Sequence, residues 1–211
     1  MWRPIAILAA LTVSTSSAAH AREDDLTTSS SVAPVFQDGQ LQGCAFTFDV
    51  AHRDHEYAKG GVVKLAGSLN YYAWSGRSPL VSIKLGVHPF TEQGSKFEAP
   101  AEVYLILGNR TNRADKLQTI DAETGGFRMF AFSAGDLTMK SLVALAENGH
   151  LLLGYAMRAG GMLSLVEADA RVRQINIDDL DKSEIDESAP KRWLDCLVEA
   201  TNVGLSSSRR K

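Results

Sequence analysis

Three short stretches of this chain carry residue types that could do chemistry. The first is Asp49-Val50-Ala51-His52-Arg53-Asp54-His55-Glu56. Imidazoles and carboxylates are the usual ligands of zinc and related ions. One helical turn here would bring His52 and His55 together, with His88 or His150 as distant partners. The spacing is not His-Glu-x-x-His, and the stretch lies between strand-like runs beside Gly60-Gly61. A charged loop explains it more simply. His52 and His55 are therefore the candidate metal ligands, and no cofactor is expected.

The second stretch is Ala131-Phe132-Ser133-Ala134-Gly135, after a strand pattern and before a helical one. It resembles the Gly-x-Ser-x-Gly nucleophile elbow with alanine for the first glycine, and strand–serine–helix is the context that motif needs. Against it, Ser133 occupies an N-cap position. The one histidine after it, His150, lies just past the same helix. The third stretch is Tyr71, Tyr72 and Trp74 at a strand end. These side chains suit an aromatic platform for a sugar or peptide, or else rim packing. Asn109-Arg110-Thr111 matches a glycosylation sequon, a short and common pattern. The acidic run from Asp178 to Glu187 lacks the spaced ligands and glycine of a calcium loop and reads as a solvated linker.

The elements that must position these residues are mostly strands. In 62–72, Val63, Leu65, Gly67, Leu69 and Tyr71 alternate with Lys64, Ala66, Ser68 and Asn70, the period of a half-buried strand. Similar patterns fit 80–87, 102–107, 127–132, 151–157 and 162–168, with Arg158-Ala159-Gly160-Gly161 as a hairpin turn between the last two. Two segments read as helices. One has Ser133 as N-cap, Asp136 as capping-box acid, an apolar stripe of Met139, Leu142, Val143 and Ala146, and a stop at Asn148-Gly149. The other runs from about Ala189 to Asn202 with Pro190 in its first turn. The expected fold is mainly β with two helices: an antiparallel sandwich or partly open barrel, one helix after the central strands and one C-terminal. Consecutive strands without intervening helices argue against a doubly wound α/β fold.

The N-terminus sets the compartment. Met1-Trp2-Arg3-Pro4, the apolar run Ile5 to Val13 and the small residues ending Ala19-His20-Ala21 have the three regions of a cleavable secretory signal. The apolar run is about half the ~20 residues of a spanning helix, so no stable membrane insertion is expected. The protein is expected to be periplasmic or secreted. Residues 22–40 read as a flexible leader, 41–203 as one β-rich domain and 204–211 as a disordered tail. Losing Arg3 and no acid takes the net charge from −3 to −4. This mild acidity argues against a nucleic-acid partner, which would need a basic face.

Cys44 and Cys196 are the only cysteines. Cys44 lies in line with Phe46 and Phe48 on one strand face, and Cys196 shares a helical face with Trp193, Leu197 and Ala200. Both point to the core, where an oxidising compartment would join them in a disulfide. The alternative is two buried free thiols.

The stretch from Leu80 to Cys196 resembles the invasion-associated locus B family of small exported proteins from Gram-negative bacteria. The likeness lies in the Phe-rich strand (Phe127, Phe130, Phe132), Ser-Ala-Gly-Asp at 133–136 and a helix carrying Leu142-Val143-x-Leu145-Ala146 and ending at Gly149. A hairpin and a C-terminal helix bearing a cysteine complete it. The chain departs from the pattern in having no cysteines near the sheet-to-helix junction. The resemblance implies a β-rich envelope protein with a role in host interaction, and it brings no catalytic residues. Together these features point to an exported, non-catalytic protein that binds a macromolecule or an envelope component. The alternatives are a periplasmic hydrolase or metal enzyme using Ser133 or His52 and His55, and a periplasmic inhibitor or immunity protein.

Overall fold

The structure is a computed structural model that describes residues 25–74, 77–90, 96–176 and 182–208. The stretch expected to be a signal sequence, Met1 to Ala21, lies outside the described residues. The strands among these residues are β1 (Asp25–Gln37), β2 (Gln40–Asp54), β3 (Gly61–Tyr72), β4 (Leu80–Pro89), β5 (Glu102–Leu107), β6 (Arg110–Thr111), β7 (Lys116–Asp121), β8 (Arg128–Ser133), β9 (His150–Ala156), β10 (Ser164–Asp169), β11 (Val172–Gln174) and β12 (Glu184–Ile185). Two α-helices accompany them, α1 (Asp136–Asn148) and α2 (Ala189–Ser208).

The strands form an eight-stranded sheet, ordered β12-β11-β1-β2-β3-β4-β8-β7, and a four-stranded sheet, ordered β10-β9-β5-β6. The recorded strand pairs are antiparallel. The sheets are arranged as a sandwich and do not close into a barrel. Between them lies one core built from alternate residues: Phe46 and Phe48 of β2, Leu65 and Leu69 of β3, Ile83 and Leu85 of β4, Phe130 and Phe132 of β8, and Leu153 and Tyr155 of β9. Leu142 and Leu145 of α1 and Trp193 of α2 belong to the same cluster. The Trp193 indole N–H donates to the Leu142 carbonyl at 3.0 Å, which ties the two helices together.

The bridge between Cys44 and Cys196 is present, with the Cα atoms 6.0 Å apart. It pins α2 onto β2. Its sequence separation of 152 residues corresponds to about 5 kcal/mol in the chain-entropy account.

Four expectations need correction. The leader expected over 22–40 is a strand from Asp25 onward, paired with β2 from Asp25↔His52 to Gln37↔Gln40. Its Ser, Thr and Ala side chains lack bulk, yet they leave the backbone free to pair. Asp38 and Gly39 supply the positive φ of a two-residue turn, 52° and 73°. Second, the tail is helical through Ser208, while 209–211 lie outside the described residues. Third, the N-cap of α1 is Gly135, which has no side chain to bond the helix. The capping role passes to Asp115, whose carboxylate accepts from Thr138 Oγ1 at 2.7 Å and the Thr138 N–H at 3.3 Å. Fourth, Val143 is exposed at 40% whereas Leu145 is fully buried, so the inward stripe of α1 is rotated from the expected one. Of the acidic run, Asp178, Asp179 and Asp181 lie outside the described residues. Glu184 belongs to β12 and pairs with Arg173, and Asp186 pairs with Arg192.

Candidate functional site

The inward face of β2 is set by strict period two. Cys44, Phe46, Phe48, Val50, His52 and Asp54 are all buried. The first four are apolar and the last two are polar, so one end of the core carries an imidazole and a carboxylate. The strand runs on through Asp54 where a charged loop was expected. His52 therefore points into the core, and His55 lies beyond the strand end and is exposed.

Around His52 the two sheets meet in a polar seam. The His52 Nδ1 lies 2.5 Å from Asp25 Oδ1, and its Nε2 lies 3.0 Å from Ser164 Oγ. A carboxylate on Nδ1 calls for the proton there. The second Asp25 oxygen accepts the Glu167 N–H at 2.7 Å. Beside it, Thr27 Oγ1 accepts the Asp169 N–H at 2.8 Å, and Ser30 Oγ donates to the Ala170 carbonyl at 2.9 Å. Side chains of β1 thus satisfy backbone groups on the outer edge of β10 and of Ala170 just past it. Further along the seam, the Tyr155 hydroxyl donates to Asp54 Oδ2. Asp54 Oδ1 accepts the N–H groups of Glu56 and Tyr57, each at 2.8 Å. Burial, and then the Asp54 carboxylate, push the Tyr155 phenol far above its ordinary range, so it stays a donor.

Asp25, His52 and Ser164 have the connectivity of a catalytic triad. Their accessibility differs from one. His52 and Ser164 are each 4% exposed, and the Asp25 side chain is 2% exposed. Two cavities adjoin the set, one of about 360 Å³ lined by Asp54 and one of about 170 Å³ lined by Asp25, and neither is lined by His52 or Ser164. Sequence reading missed this set because Asp25 fell in the presumed leader and Ser164 in an ordinary hairpin strand. The signal that could have found one member of it is the parity of His52 with Cys44, Phe46, Phe48 and Val50.

The expected metal pair does not assemble. Both His52 nitrogens are engaged, and His55 lies past the end of β2 and is exposed. His88 packs against the Phe90 and Phe97 rings. His150 lies 2.8 Å from Glu167 Oε1 and 2.8 Å from Arg171 Nη2. Among the described residues no group of three or more metal-ligating side chains comes together. Ser133 is half-buried and donates to the Asp115 carbonyl at 3.3 Å. His150 sits at the far end of α1, a helix of 13 residues and so about 20 Å long.

The aromatic cluster divides in two. Tyr71 is 1% exposed, with its hydroxyl 2.8 Å from Thr201 Oγ1, and is core. Tyr72 and Trp74 are half-buried and stacked nearly parallel, with centroids 5.2 Å apart and planes at 8°. Trp74 also lines a cavity of about 360 Å³ with Arg77, Pro79, Thr201, Gly204 and Leu205. Compared with family models, with curated proteins and with solved structures, the chain matches none.

Proposed function

We propose that this chain is an exported, non-catalytic domain that binds a macromolecular partner or a component of the cell envelope, with host interaction as its wider setting. The observation that carries the reading is the stacked Tyr72–Trp74 pair beside a cavity that Trp74 and Arg77 both line. A rigid aromatic face next to a fork of donors is the chemistry of a saccharide or peptide contact. The seam supports the non-catalytic part: its serine hydroxyl is spent on holding the sheets and is closed to substrate. A disulfide across the fold suits an oxidising compartment. No helix among the described residues is long and apolar enough to cross a membrane. The likeness of 80–196 to the invasion-associated locus B family points the same way.

The test is co-sedimentation of the mature chain with isolated cell envelopes. Trp74→Ala and Arg77→Glu are expected to lower the bound fraction several-fold, while the exposed Val143→Ser on the opposite helix leaves it unchanged. Equal sedimentation of all three variants, with unaltered melting curves, overturns the reading.

A further inference from the structure

A second concave site lies at the other end of the sandwich, beside the seam. Asp54, Tyr57, Val63, Val87, Phe90 and Glu98 are among the side chains that line its cavity of about 360 Å³, together with Pro89 and Met157. That volume is at the small end of the range for ligand sites. Two features of the lining select a class of ligand. Among the described residues the cavity is lined by two aromatic residues, Tyr57 and Phe90, and two acids, Asp54 and Glu98, with no Lys or Arg. Phe90 is 61% exposed, and Val62 on the same rim is 42% exposed, so apolar surface stands open to solvent beside the acids.

The walls are held in place before any ligand arrives. Val87 and Glu98 exchange both backbone hydrogen bonds, at 3.0 and 2.7 Å, which fixes Glu98 against β4. The turn after β2 is closed by the Gly60 N–H on the Asp54 carbonyl at 2.7 Å and the Gly61 N–H on the Ala58 carbonyl at 2.8 Å. Tyr57 is anchored by its own N–H on Asp54 and by its hydroxyl donating to the Met162 carbonyl at 2.5 Å. The Asp54 carboxylate is 1% exposed and hydrogen-bonded on both oxygens, so what it offers a ligand is its charge through space.

Aromatic faces, aliphatic walls and negative charge together suit a substituted ammonium group, whose methyl groups are apolar while its charge is spread. An anion would meet two carboxylates with no counter-charge in the lining, and a neutral apolar ligand would waste them. We propose that this cleft binds a small, free organic cation carrying a quaternary or alkylated ammonium group.

The probe is choline chloride, titrated calorimetrically into the mature chain and compared with 3,3-dimethylbutan-1-ol, its neutral isostere. Choline is expected to bind at one site at least about tenfold tighter than the alcohol. Phe90→Ala and Glu98→Gln, both at exposed positions and with melting curves unchanged, are expected to weaken it about five- to tenfold each. Trp74→Ala is expected to leave choline binding intact, which separates this site from the Trp74 surface. The proposal is overturned by an absence of saturable binding, by equal binding of the alcohol, or by affinity indifferent to both variants. It is also overturned if binding appears only with phosphatidylcholine vesicles and not with free choline.

Discussion

Replacing Asp25 by alanine should unfasten the two sheets. The side chain is 2% exposed and serves two partners, the His52 imidazole at 2.5 Å and the Glu167 amide at 2.7 Å. Without it, both donors stay buried with no acceptor. Leaving a buried imidazole N–H without its carboxylate acceptor costs about 3 kcal/mol, and an orphaned buried backbone N–H about 1–3 kcal/mol. The two share one group and are not additive, so the expected loss is about 4 kcal/mol. That is a large part of the roughly 5–15 kcal/mol that a domain has in all. The assay is urea unfolding followed by the fluorescence of buried Trp193. At a slope of about 2 kcal/mol per molar urea, the midpoint should fall by about 2 M. Asp25→Asn keeps an acceptor oxygen and should lose about half as much. Leu26→Ala, next along the strand but 48% exposed, should lose about 0.5 kcal/mol or less. An Asp25→Ala midpoint within that same margin would refute the argument that β1 fastens the seam.

Three further outcomes follow from the same contacts. A fluorophosphonate serine probe should leave Ser164 unlabelled in the folded chain, and Ser164→Ala should cost about 1–3 kcal/mol of stability; stoichiometric labelling at Ser164 would make the seam a catalytic site. Asp115→Ala should cost about 1–2 kcal/mol through loss of the cap on α1, whereas Ser133→Ala should cost about 0.5 kcal/mol or less, and the reverse order would restore Ser133 as the cap. Burial opposes charge on Asp169, but the hydrogen bonds from Arg171 outweigh it and hold its carboxyl below the ordinary value. Its contribution to stability is therefore present above the unfolded carboxylate value, about 3.9, and is lost as pH falls below that through the folded value. Asp169→Asn should flatten that part of the acid limb, and an unchanged limb would contradict the Arg171 contact.

What was legible in the sequence was what repeats. The alternation in 62–72 and the spacing of the later strands gave six strands close to their observed bounds, because a half-buried strand must alternate to face both core and solvent. The bridge was legible because Cys44 and Cys196 each kept company with large apolar residues on one face. β1 was missed because Ser, Thr and Ala carry no such signature; its place comes from backbone pairing with β2 and from three polar side chains, two reaching β10 and one Ala170 just past it. The cap of α1 was missed for a related reason. Asp115 stands 23 residues before Thr138 in sequence, and no local pattern reports a contact closed by the fold. At the surface, reading Tyr71, Tyr72 and Trp74 as one cluster overlooked parity: alternate residues of a strand face opposite sides. Tyr71 went to the core and Tyr72 to the opposite, half-buried face.

The proposed function depends above all on export and on a fold closed by the Cys44–Cys196 bridge. The most direct test is the intact mass of the protein, expressed with its own N-terminus in a Gram-negative host and recovered from the periplasm, before and after reduction. The predicted result is a chain beginning at Arg22 that gains two hydrogens on reduction. A periplasmic fraction empty of the protein, a chain still beginning at Met1, or a mass unchanged by reduction would contradict it.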